Sequence, residues 1–392
     1  MPASLVQTGL DLLVSDGFHG LRGRRVGLLC HPASVDARLR HARDLLHAAA
    51  AVDLRALFGP QHGLRGETQD NMVEWEGFTD PITGVPAFSL YGEHRKPTGA
   101  MLEPIDTLIV DLQDVGARYY TFVWTLLLCL EACAEHGRSV VVLDRPNPLG
   151  GTVQGNVLDP AYRSFVGLAP VPMRHGLTLG ELARWFRARF RLDVDLEVVP
   201  MRGWRRDTWF DETGLPWVMP SPNMPTLETA VVYPGMCLLE GTELSEGRGT
   251  TRPFEIVGAP YVDAEQLAAR LQDAEVPGCL WRPLHFQPTF QKHAGRLCGG
   301  VQVHVIDRVG YSPVLATTTL LAAVRELWPD EFAWRRPPYE YETEKLPIDV
   351  LAGGPELREA VDAGGSLREL SARWDVQAHA FRDAAAEHGL YG

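Results

Sequence analysis

The chain has 392 residues, 45% of them apolar and 22% charged, an ordinary globular composition at a length that suggests two domains. Its formal net charge of −13 repels phosphate backbones, so nucleic acid is excluded as an expected partner, and no basic block points to a membrane surface. Six scattered cysteines contain no CxxC pair, which excludes a zinc ribbon or thioredoxin-type motif and fits a reducing compartment.

The N-terminus, MPASLVQTGLDLL, lacks a basic region, a long apolar stretch and a small-residue cleavage site. A cytoplasmic location is expected. Monomer and homodimer both stay open.

Short apolar runs at 26–30, 54–58, 107–111, 140–143 and 197–199 are rich in Val, Ile and Leu, as buried parallel strands are. Helices fill the gaps, over 37–50, over 121–136 and over 178–190, the last opened by a Thr178/Glu181 capping box. The pattern predicts an α/β chain with a mostly parallel, doubly wound sheet, and ligands beyond its C-terminal strand ends. Residues 201–260 carry Gly, Pro and Trp with little periodicity and are expected to be long ordered loops. Further on, 301–306 reads as a strand and 312–328 as a helix with Ser312 as cap. A Ser366/Glu369 capping box opens a final helical region.

No GxGxxG follows a strand, and Walker A, HExxH and GxSxG are missing, so the sheet carries no signature of a dinucleotide site. Four polar segments remain. FGPQHGLRG offers Gln61 and His62 at a strand end, with His62 able to move protons or simply to satisfy its own loop. DLQDVGARYYTF brings Asp111, Asp114, Arg118 and Tyr120 together. Here an arginine beside a carboxylate either grips a substrate carboxylate or pins the loop. LDRPNPLGG crowds Asp144, Arg145 and Asn147 between prolines, for sugar hydroxyls or for turn capping. EGTELSEGRGTTRPFE holds Glu240, Glu243, Glu246 and Arg248 among glycines. A glycosidase needs a proton donor and commonly a second carboxylate, and these glutamates are candidates, against a solvated loop of ion pairs. Two smaller pieces, RHGLTLGEL with His175 and PSPNMPT with Asn223, join them.

These segments, together with SLYGEHRKPT, occur in the same order in the exo-β-N-acetylmuramidase (NamZ-type) family of glycoside hydrolases, which the chain resembles from about residue 10 onward. The resemblance implies a Rossmann-like N-terminal domain, set at 1–225, and a smaller C-terminal α/β domain, 226–392, with the active site in the cleft between them. It also implies removal of β-linked N-acetylmuramic acid from non-reducing ends of peptidoglycan fragments. The expected partner is a small muramic-acid saccharide, with no metal and no cofactor. Glu246 or Asp114 would donate the proton, with Gln61 and His62 at the catalytic centre. Arg118 or Arg248 would bind the lactyl carboxylate. Tyr120, Asp144, Asn147, His175 and Asn223 would hold the rest of the sugar. One departure stands out: family members commonly carry Glu where this chain has Gln61, and an amide cannot act as acid, base or nucleophile. Another carboxylate does the chemistry, or the substrate's acetamido group assists with Gln61 positioning it, or this chain binds or cleaves a different sugar.

Overall fold

The computed structural model describes residues 6–70 and 72–392. Seven strands form the main sheet: β1 (Arg25–Cys30), β2 (Asp53–Gly59), β3 (Phe78–Thr79), β4 (Pro86–Ser89), β5 (Thr107–Asp111), β6 (Ser139–Leu143) and, after a small two-stranded ribbon, β9 (Leu196–Val199). Their order is β3-β4-β2-β1-β5-β6-β9, and every neighbouring pair is parallel except β3 with β4. The ribbon is β7 (Gln154–Val157) paired antiparallel with β8 (Pro172–Arg174).

The central strands β1, β5 and β6 are covered on both faces, which is why their runs are almost wholly apolar. Val26, Leu28 and Cys30 of β1 join one core layer, with α1 (Gly9–Ser15) and α2 (Ala42–Ala48), while Leu29 points into the other. Ile109 of β5 likewise faces the first layer, and Leu108 and Val110 the second. On that second face lie α3 (Gly99–Leu102), α4 (Phe122–Glu135) and α5 (Leu179–Arg189). The capping box at Thr178 and Glu181 is formed.

The C-terminal half is α6 (Leu227–Met236), β10 (Ile256–Ala259), α7 (Ala264–Asp273), β11 (Cys279–Phe286), β12 (Cys298–Val305), α8 (Pro313–Leu327), α9 (Pro347–Ala352), α10 (Glu356–Asp362) and α11 (Leu367–Ala385). Its three strands form an antiparallel sheet in the order β10-β12-β11. Glycines let β10 and β12 approach: a Cβ on Gly258 would lie 2.1 Å from the carbonyl oxygen of Gly299. The chain is thus a two-part α/β protein. A single hydrophobic core runs from Phe58 and Val110 through Val257 and Val301 to Leu351 and Trp374.

Two expectations are corrected. The helix expected at 37–50 shrinks to Ala42–Ala48, because the Asp36 carboxylate accepts the Arg38 and Arg40 amides and holds that stretch in a turn. The stretch 201–260 is not all loop. It holds α6, which is buried on every side and so shows no amphipathic period, and β10.

Arg118 joins the two halves. It is fully buried, and its Nη1 donates to the Asn156 and Val171 carbonyls, both at 2.9 Å. Its Nη2 reaches the Leu351 and Ala352 carbonyls of α9 at 3.0 and 3.1 Å. Arg118→Ala strands these acceptors in the interior and is expected to cost about 3 kcal/mol or more. Thermal unfolding of the purified variant measures this, and an unchanged midpoint would remove the clamp.

Candidate active site

The C-terminal ends of β2 and β5 and the start of α4 form one wall of a pocket, as expected for an open parallel sheet. Beyond Gly59 the chain turns through Gln61 and His62, the latter at φ 67°. The Gln61 amide oxygen accepts from the Thr121 hydroxyl at 2.6 Å, which fixes this turn to the head of α4. Tyr120 and Phe122 continue the wall, and Asn223 tethers the segment after β2 by donating to the Gln69 carbonyl at 2.6 Å. The C-terminal half supplies the opposite wall: Tyr233 on α6, then Glu240, Arg248, Phe254, Tyr339 and Glu340.

Its charges are buried and arranged in sequence. The Lys292 ammonium meets Glu246 at 2.8 Å and also donates to the Leu239 and Leu244 carbonyls. Glu246 meets the Arg248 Nε at 3.2 Å, and the Arg248 Nη2 donates to Glu240 at 2.7 Å. The Tyr339 hydroxyl donates to the other oxygen of Glu240 at 2.8 Å. The Arg248 Nη1 is buried with no hydrogen-bond partner. A buried guanidinium edge with an unmet donor invites an anionic group from a ligand.

Glu340 is the carboxyl with the opposite tendency. Burial raises it to about 7, and the nearby charge of Glu240 pushes the same way. The Tyr91 hydroxyl donates to it at 3.0 Å, and the Gln61 amide makes a long contact of 3.5 Å. Its backbone is bent to reach the pocket, with φ 45° at Glu340 and 68° at Tyr341. His62 is pushed down to about 4 by burial and stays neutral near pH 7. Its Nδ1 donates to the Thr68 carbonyl at 2.8 Å, which leaves Nε2 as an acceptor.

The pocket therefore gathers Gln61, His62, Tyr120, Asn223, Glu240 and Arg248 of the residues expected from sequence. The others lie outside its lining. Glu246 sits behind Arg248. Burial works to raise it, but Lys292 and Arg248 outweigh burial and pull it below the usual carboxylate value, which favours the ionised form. Asp114 accepts from the Gly116 amide at 2.7 Å and the His175 ring at 3.0 Å, while His175 in turn accepts the Leu177 amide. This pair braces the loop after β5. Arg118 is occupied with carbonyls, as described above. Asp144, which burial raises to about 6, takes the Thr178 hydroxyl, the Gly180 amide and the Tyr391 hydroxyl. Asn147 caps its own turn, accepting the Leu149 amide and donating to the Leu177 carbonyl. Asp111 forms the buried loop-pinning pair, with Arg145 at 2.5 Å.

Glu340 and its partners Tyr339 and Tyr91 are the functional candidates that sequence reasoning missed. The available signal was PPYEY, a glutamate between two tyrosines behind stiff prolines. Among the described residues, no group of three or more His, Cys, Asp or Glu side chains is placed to hold a metal ion, and no helix is long and apolar enough to cross a membrane.

Residues 26–228 match the family model for the N-terminal part of the exo-β-N-acetylmuramidase NamZ, and residues 231–391 match that for its C-terminal part. The chain belongs to the NamZ exo-β-N-acetylmuramidase family. It is 42% identical over 387 residues to the peptidoglycan β-N-acetylmuramidase NamZ of Bacillus subtilis (strain 168), covering 98% of this chain and 91% of that protein. Two crystal structures of DUF1343 family proteins from Bacteroides fragilis share the fold of this NamZ-family chain. One has a TM-score of 0.91 at 36% identity over the whole of both chains. The other has a TM-score of 0.78 at 30% identity, covering 98% of this chain and 99% of that one.

Glu246 orients Arg248, so Glu246→Gln is expected to raise KM for a carboxylated sugar about tenfold while kcat stays within about tenfold. Steady-state kinetics on an aryl muramide test this. A hundredfold fall in kcat at unchanged KM would restore Glu246 as proton donor.

Proposed function

We propose that this chain is an exo-acting glycoside hydrolase that removes β-linked N-acetylmuramic acid from the non-reducing ends of peptidoglycan fragments, with Glu340 as proton donor. One observation carries the assignment: a carboxyl that burial raises to about 7 and the unmet donor edge of Arg248 share one deep pocket. The first suits a leaving oxygen, and the second suits the lactyl carboxylate that distinguishes a muramic sugar from glucosamine. Aromatic side chains, Tyr120, Tyr233 and Phe254 among them, surround the space a sugar ring would fill. The lining is almost wholly buried, which favours the end of a glycan over its middle.

In the proposed reaction the Glu340 proton passes to the glycosidic oxygen as the bond from that oxygen to the anomeric carbon breaks. The rest of the glycan leaves with a free hydroxyl. Water adds to the anomeric carbon, and its proton restores the Glu340 carboxyl. Glu240, fixed by Arg248 and Tyr339, is the second carboxylate that offsets positive charge at that carbon. Gln61 plays no acid or base part. Its amide touches Glu340 instead of competing with it for a proton. Six unpaired, buried cysteines support a compartment that keeps thiols reduced, and with it a cytoplasmic enzyme.

The test is turnover of a chromogenic N-acetylmuramide. Glu340→Gln should lower kcat at least about a hundredfold. In the parent enzyme only the protonated acid works, so kcat/KM should hold below Glu340's pKa and fall as pH rises through about 7. An unchanged alkaline limb in Glu340→Gln, or near-normal turnover, would eliminate Glu340. Tight sugar binding by a parent enzyme with no turnover would indicate a binding protein instead. Arg248→Lys should shrink the preference for a muramide over the matching glucosaminide by about tenfold or more, because the fork that meets a carboxylate is lost. An undiminished preference would place the lactyl group elsewhere.

A further inference from the structure

Glu340 has two sides. On one side it lines the pocket described above, and on the other it lines a second, more open groove of about 320 Å³. Besides Glu340 the groove is walled by Arg95, Arg163, Phe165, Tyr341 and Glu342, the last paired with Lys345 at 3.1 Å. Arg95 lies over the Tyr341 ring, with 3.8 Å from guanidinium carbon to ring centroid, and 5.7 Å from that of Phe165. Arg163 is exposed at the rim. In a chain of net charge −13, two arginines beside two aromatic rings make a local site suited to a sugar that carries an anion.

A proton donor must reach the oxygen it protonates, so the scissile bond lies at the carboxyl. If the terminal sugar fills the inner pocket, the sugar beyond that bond falls on the outer side of Glu340, where the groove is. We propose that this groove is the leaving-group subsite, a proposal that rests on the muramidase reading. Tyr341 and Phe165 pack the glucosamine that cleavage releases. Arg95 and Arg163 meet the lactyl carboxylate of the muramic acid that follows it in the alternating glycan. The enzyme then prefers longer fragments without any contact to their peptide stems.

The experiment compares kcat/KM on three peptide-free substrates: an aryl N-acetylmuramide, the muramyl-glucosamine disaccharide, and the trisaccharide ending in a second muramic acid. The Arg95→Ala/Arg163→Ala double variant, with thermal unfolding as a folding check, should lose about tenfold on the trisaccharide and less than about threefold on the other two. The single Arg163→Ala variant, altered only at the rim, should show the same selective loss more weakly. Equal losses on all three substrates, or none on the trisaccharide, would overturn the subsite. A parent enzyme inactive on all three would overturn the muramidase reading itself.

Discussion

A guanidinium buried between two carboxylates governs the geometry of this pocket. Arg248 contacts Glu240 on one side and Glu246 on the other, and Lys292 balances the outer carboxylate. Removing any one of them leaves an uncompensated charge in the interior, at a cost on the order of 3–5 kcal/mol. The whole set therefore stands or falls together. The backbone is shaped to allow it: Gly247 has φ 79°, and a Cβ there would lie 2.7 Å from the Ile256 carbonyl oxygen. That turn places Glu246 and Arg248 against each other, and Phe254 donates its amide back to the Glu246 carbonyl to close it.

Two carboxyls in one site with opposed surroundings make a division of labour. Glu240 sits between a guanidinium and a phenol, whereas Glu340 has only neutral donors, Tyr91 and Gln61. The amide at position 61 belongs to this pattern. A carboxylate there would stand beside Glu340 and share its titration, while the amide leaves that wall neutral. Under the proposed assignment, loss of function does not follow from Gln61, since the proton donor comes from the other half of the chain.

The parallel sheet was legible because buried strands must be apolar on both faces, and runs such as LIV at 108–110 have few other uses. Gln61 and His62 were legible for a related reason, since strand ends in such a sheet point at ligands. Asp114 and Asp144 also follow strands, but they lie outside the pocket lining and accept backbone amides, and spacing alone cannot tell a ligand group from a brace. Glu246 and Glu240 lie six residues apart in one polar loop, and only their partners in space separate the counter-ion from the pocket carboxylate. Glu340 was harder to single out, because its surroundings come from distant segments such as Tyr91, more than two hundred residues earlier.

The far end of the sheet carries a different consequence. At the head of α5 the Asp144 carboxylate accepts the Gly180 amide, and the chain's own Tyr391 closes over it. In nucleotide-binding relatives of this architecture, a helix head with bare amides is where a diphosphate settles. Here that berth is filled by an internal anion and roofed by the tail. At this point of the scaffold the helix head gives its Gly180 amide to an internal carboxylate and not to a ligand phosphate.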